Sequence, residues 1–192
     1  MFPSSRRTQT LIGLSLAAVM AATRFHHFGD ALHLPDASWA IFFLAGVYLS
    51  PAWMLGLMLE AFAIDSAAVG LMGISGYCLT PAYAGLQIAH LALWEGGRLA
   101  GRGLNADAAG ALRLAGIALA ATALAFVISN GAFYWFGGRV ADTNGTQFVQ
   151  TFVDYAPRFL ISTLTYLGFA ALVHAVVANL GRSRASRLAS TR

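Results

Sequence analysis

Residues 37–94 read ASWAIFFLAGVYLSPAWMLGLMLEAFAIDSAAVGLMGISGYCLTPAYAGLQIAHLALW, and only two of these 58 side chains, Glu60 and Asp65, are charged. Wound as helix at 1.5 Å per residue they trace ~87 Å, enough for three crossings of a ~30 Å hydrocarbon core. Pro51 separates the first crossing from the second, because proline lacks an N–H and clashes with the preceding turn. Gly70, Gly73 and Gly76 separate the second from the third. Thr80-Pro81 then reads as an N-cap followed by proline at the first helical position. Nothing soluble carries such a run. The fold class is an all-α integral membrane protein.

Outward from this stretch the pattern continues. Toward the N-terminus, Arg24–Asp36 is polar, aromatic and rich in histidine, and before it sixteen uncharged residues, Thr8–Thr23, lie between Arg7 and Arg24. That run has the outline of a signal peptide, but no small-residue cleavage site with a polar start follows, so a retained helix is expected. Toward the C-terminus, Glu95–Gly110 reads as a polar loop and Leu114–Gly138 as a helix ending in the aromatic belt Phe133, Tyr134 and Trp135. Arg139–Pro157 reads as a second polar loop, and Phe159–Leu180 as the last helix. The expectation is one transmembrane domain over 1–192, with six helices near 8–23, 37–50, 52–69, 80–94, 112–136 and 158–180.

Charge orients the bundle. The chain is 58% apolar and 10% charged, against about 25% charged for a soluble domain. Its basic residues are all arginine, scattered in loops and tails, which excludes a nucleic-acid partner despite the net charge of +4. Arginines crowd both ends, so the positive-inside rule places both termini in the cytoplasm and requires an even number of crossings. With six, nine arginines lie inside and only Arg24, Arg139 and Arg158 outside.

That topology gathers the chemically capable residues in the outer third. They are His26 and His27 after helix 1, Asp65 high in helix 3, Cys78 in the glycine-rich break, Tyr83 in the first turn of helix 4, and Arg158 at the start of helix 6. A carboxylate at Asp65's depth needs a donor, and Arg158 or Tyr83 could supply it. Cys78 is the chain's one cysteine. It forms no intrachain disulfide and belongs to no CxxC pair, which leaves an inert small hydrophobe, a soft ligand or a nucleophile. Glu60 falls on another face than Asp65, with a structural hydrogen bond expected; His90 and His174 read as satisfied bundle residues. HExxH, GxSxG and phosphate-loop patterns are absent, and nothing binds a nucleotide.

The segment Gly-Tyr-Cys-Leu-Thr-Pro-Ala-Tyr (76–83), with Arg-Phe-His-His (24–27) and Ala-Ile-Asp (63–65), is similar to the BtuM-type cobalamin transporters. That family belongs to the S-components of energy-coupling-factor (ECF) vitamin transporters in the bacterial cytoplasmic membrane. The resemblance runs over essentially the whole chain and is most specific around Cys78. It implies that Cys78 is the axial ligand to the cobalt of a bound cobalamin or cobinamide, with His26, His27, Asp65, Tyr77, Tyr83 and Arg158 around the corrinoid. It also implies uptake of that ligand and a thiolate-assisted removal of its upper axial ligand, such as cyanide. The chemistry is consistent: a corrinoid leaves two axial positions on cobalt, and a thiolate near a positive group is a strong ligand.

The same family docks a transmembrane coupling subunit on an alanine-rich face of its first helix. Here Gly13, Ala17, Ala18, Ala21 and Ala22 supply small residues at that spacing, which also suits packing within the chain. Two rival classes stay open. One is an intramembrane haem or redox protein using His90 and His174; the other is an accessory scaffold subunit without a ligand.

Overall fold

The computed structural model describes residues 5–24, 34–72, 76, 79–103 and 107–190. Among these the chain is all-helical, with α1 (Arg6–Arg24), α2 (Ser38–Tyr48), α3 (Pro51–Met72), α4 (Tyr83–Gly101), α5 (Ala108–Phe136) and α6 (Gly145–Ser190), and has no strand. Three helical stretches are long and apolar enough to cross a membrane: Pro51–Leu71, Ala108–Phe136 and Gly145–Leu180. Their outward faces carry large apolar side chains, among them Leu59, Phe62, Leu112, Leu124, Ile161 and Leu172. Such faces suit lipid, which needs no polar cover.

Several boundaries differ from the sequence expectation, each for a local reason. Thr80 does not cap α4: Tyr83 and Ala84 donate to the Thr80 and Pro81 carbonyls in a turn, and the helix starts at Tyr83. It then runs through the glycines of Glu95–Gly101 instead of ending at Trp94. α5 begins four residues before the expected 112, because Asp107 accepts a hydrogen bond from the Gly110 N–H (2.7 Å) and caps it.

The largest correction is in α6. Residues 145–157, expected as loop, are its first turns, with Pro157 inside the helix. Asn144 starts them by accepting the Gln147 N–H (2.9 Å). Phe152 and Ala156 then face the core at a spacing of four.

Close approach between helices is set by small residues. A Cβ on Gly97 would strike the Phe43 carbonyl oxygen, and one on Gly46 the Trp94 carbonyl, so α2 and α4 meet backbone to backbone. α2 is buried on nearly every side, with Phe42, Phe43 and Ala45 fully enclosed. On α1, Gly13 lies under the Trp53 ring of α3, and Ala17 packs on the core. Gly13 and Ala17 therefore face inward, while Ala18, Ala21 and Ala22 are exposed. The small-residue stripe is divided between two surfaces.

Candidate functional site

α3 buries Met54, Leu57, Ala61, Asp65 and Ala68 along one stripe, the 3-4 spacing of a single helix face. Asp65 is thus the carboxylate at the top of an otherwise apolar row. α1 buries Gly13, Met20 and Arg24 in the same manner, and its last residue meets Asp65. Arg24 Nε donates to Asp65 Oδ1 (2.8 Å) and Nη2 to Oδ2 (2.6 Å), a bidentate pair. Nη1 donates to Ser38 Oγ (2.9 Å) and lies 3.6 Å from Asp36 Oδ2. Tyr83, from the first turn of α4, donates its hydroxyl to Asp65 Oδ2 (2.7 Å).

The loop before α2 is fixed from both sides. Asp36 Oδ1 accepts from the Ser38 N–H and hydroxyl, and Ala37 N–H donates to Thr23 Oγ1 on α1. From α6, Ser162 and Tyr166 donate to the carbonyls of Asp36 and Pro35. Arg24, Ser38, Asp65 and Tyr83 are all under a tenth exposed. Four segments are held by one buried ionic cluster.

The cluster forms one end of a cavity of about 580 Å³, a size usual for small-molecule sites. Trp39, Phe126 and Phe159 make an aromatic wall, with ring centroids 4.7 Å apart for Trp39–Phe159 and 5.2 Å for Phe126–Phe159. The far side is amide- and hydroxyl-rich: Ser129, Asn130, Tyr134, Gln147 and Thr151, with Arg139 beside them. Tyr134 and Phe133, expected in an aromatic belt, line this cavity, and Tyr134 is buried. The Tyr134 hydroxyl accepts from the Asn144 N–H and can donate to the Asn144 carbonyl or to Gln147 Oε1, all at 3.0 Å.

Of the residues singled out from sequence, Asp65 and Tyr83 meet here. Cys78, His26, His27 and Tyr77 lie outside the described residues. Arg158 is not at the site: it sits mid-helix in α6, exposed, its guanidinium 5.8 Å from the Tyr155 ring. The cavity-facing stripe of α6 is Gln147, Thr151, Tyr155 and Phe159, and position 158 lies about 100° around the helix from 159. The donors to Asp65 are Tyr83, one of the two expected, and Arg24, a residue read from sequence as a loop arginine. Arg24, Asp36, Ser38 and Asn130 were missed, although an arginine closing an apolar helix and facing a buried carboxylate is the signal that marks such a pair.

The other ionisable residues also differ from expectation. Glu60 is half-buried and makes no hydrogen bond among the described residues, although one was expected. His174 is exposed, with Nδ1 3.3 Å from the Tyr48 hydroxyl. His90 is fully enclosed, stacked on Phe42 with centroids 4.0 Å apart, and neither ring nitrogen has a partner. It is not the satisfied core histidine expected. His90 and His174 contact residues six positions apart on α2, Phe42 and Tyr48. A comparison of the chain with family models and with curated proteins finds no match.

Proposed function

We propose that this chain is a multi-pass membrane protein of the S-component type that takes up a corrinoid, cobalamin or cobinamide, through an outward cavity. In this reading the chain crosses the bacterial cytoplasmic membrane six times with both termini inside. α2 contributes one crossing together with residues 34–37 in front of it. Eleven helical residues, Ala37 in helical conformation before them and three further residues have a contour of at most ~28 Å, close to the ~30 Å of the hydrocarbon core.

The observation that carries the proposal is the Tyr83–Asp65 hydrogen bond on the cavity wall. Both residues were selected by resemblance from separate segments, five residues after Cys78 in one case and thirteen before it in the other. The cavity chemistry supports it too. An aromatic wall suits the flat apolar face of a corrin ring, and an edge of amides and hydroxyls suits its amide rim. A corrinoid is larger than 580 Å³, so part of it would project toward the outer side, beyond the start of α4.

The Cys78 thiolate would take one axial position on cobalt. A strong axial donor weakens the bond opposite, so cyanide would leave with its electron pair and cobalt would keep its oxidation state. Asp65 is engaged by Arg24 and Tyr83, which makes it an orienting group rather than a base. Docking of a coupling module would be left to the exposed Ala18, Ala21 and Ala22 of α1.

The test is the absorption spectrum of the purified full chain incubated with cyanocobalamin. Bound corrinoid with altered axial bands is expected, and Cys78→Ser should return those bands toward the free ligand. Spectra identical for the two proteins would remove the cysteine from the mechanism. No retained colour at all would defeat the corrinoid reading.

A further inference from the structure

Glu60 is the tenth of the 21 residues of Pro51–Leu71, one of the three stretches long and apolar enough to cross a membrane, so it stands at mid-depth. It is half-buried and has no hydrogen-bond or ion-pair partner among the described residues. Asp65, the other acidic residue of α3, is enclosed and bound by Arg24 and Tyr83. An ionisable group at membrane depth is expensive, and it marks an interaction that stabilises it.

The contacts of its neighbours place Glu60 on the helix. It follows Trp53 by seven residues and shares that face of α3, and the Trp53 ring lies over Gly13 of α1. Phe62, about 200° further round, packs edge-on to Tyr83 of α4. Glu60 is therefore on the α1 side, at the lip of the groove between α1 and α3. Gly56, Ala63 and Ala67 continue the same stripe toward the lipid side, and all are small. A Cβ on Gly56 would meet nothing within 4 Å. Across the groove, Ala21 of α1 is exposed, about 200° round from Thr23, which accepts the Ala37 N–H at the start of α2. Elsewhere the outward face of α3 carries Leu55, Leu59 and Phe62. The helix thus presents large side chains over most of its outer surface and a recess of small ones around one carboxylate.

We propose that this recess docks a transmembrane helix of another protein, one that carries an arginine or lysine at mid-depth. The small residues let the two backbones approach closely, and the cation pairs with Glu60. Lipid tails fill the recess by shape but offer a carboxylate no partner. A second copy of the chain offers no cation there. The sequence has no lysine. Among the described arginines of the bundle, Arg24 is taken up by Asp65, and Arg98 lies in the last turn of α4. Arg113 donates to the Leu99 and Arg102 carbonyls at the end of α4, and Arg158 is level with the cavity-lining Phe159. The inference does not depend on what the cavity binds.

The test uses the full chain in lipid vesicles, labelled at its C-terminus, and energy transfer to synthetic transmembrane peptides of about 21 residues. Two peptides share an alanine face and differ only at the central residue, arginine or leucine. The arginine peptide should bind at least about tenfold more tightly. Glu60→Gln should erase that preference, and Glu60→Ala takes its place if the glutamine variant does not fold. Gly56→Leu, whose side chain has open space, should weaken binding of both peptides by blocking close approach. Equal affinity of the two peptides for the parent chain would overturn the inference. So would a preference that survives loss of the carboxylate, or binding untouched by Gly56→Leu. Energy transfer between differently labelled copies of the chain, lost in Gly56→Leu, would put a second copy in the recess and overturn it as well.

Discussion

The ionic cluster at the cavity and the face of α4 that carries Gln87, His90 and Trp94 are both buried polar regions, and they differ in how their groups are satisfied. In the cluster, all three guanidinium nitrogens of Arg24 have protein partners, and both oxygens of Asp65 accept hydrogen bonds. On that face of α4, the Gln87 amide, both ring nitrogens of His90 and the Trp94 indole find no protein partner. Charged groups buried without partners cost far more than neutral ones, so the protein places its charges where several helices converge on them. Neutral polar groups can be left to water. The cluster therefore acts as a clamp joining α1, the start of α2, α3 and α4, while the polar face of α4 holds no helix to another through these atoms.

That contrast is sharpest at Asp65. Asp65→Ala would leave Arg24 enclosed with only Ser38 and the partly exposed Asp36, and should destabilise the fold by about 3–5 kcal/mol. Unfolding of the purified protein in mixed micelles of increasing denaturing detergent measures it; a loss near zero would mean Asp36 alone suffices. Next in size, Tyr83→Phe removes one hydrogen bond to a carboxylate that Arg24 still satisfies, and should cost about 1.5 kcal/mol. The midpoint of thermal unfolding reads this change, which should be smaller than that of Asp65→Ala.

Replacing both partners of the pair gives a finer comparison. Arg24→Met with Asp65→Leu removes the charges together, so the double variant should be more stable than Asp65→Ala alone, since no unpaired charge remains buried. A double variant as unstable as the single one would show that shape, not charge, holds the four segments. The smallest effect belongs to Thr122 on α5: Thr122→Val deletes an unpartnered hydroxyl at nearly constant volume, and stability should stay within about 1 kcal/mol of the parent, on the favourable side if anything. A loss comparable to that of Tyr83→Phe would mean the hydroxyl is already well bonded.

Legibility in the sequence followed the range of the interaction concerned. Helical character was readable from apolar runs, because a backbone in lipid must satisfy its own hydrogen bonds within each segment. The start of α6 also has local signals in the sequence: Asn144 with Gln147 forms a cap, and Phe148, Phe152 and Ala156 recur every four residues. Pro157 and the polar side chains between them mask this helical period. Asp65 and Tyr83 stood out as polar groups in apolar surroundings, and resemblance singled out the same two. Arg158 stood out equally and is elsewhere, because a rotation of one residue on a helix is enough to turn a side chain out of a cavity.

Composition, charge placement and apolar period thus determined from sequence alone that the chain is helical, suited to a membrane, and carries unusual polar residues near one end of its helices. Which of those residues meet was decided only by tertiary structure. Arg24 and Asp65 are 41 residues apart, and nothing local in either helix specifies the rotation that brings one face to the other. That rotation comes from packing, through Gly13 under Trp53 and the close contact of α2 with α4 at Gly46 and Gly97. The same packing turns the face of α4 that carries His90 and Trp94 toward α2, where His90 stacks on Phe42. Pair identity at a distance is a property of helix register and rotation, and those are set by the whole bundle.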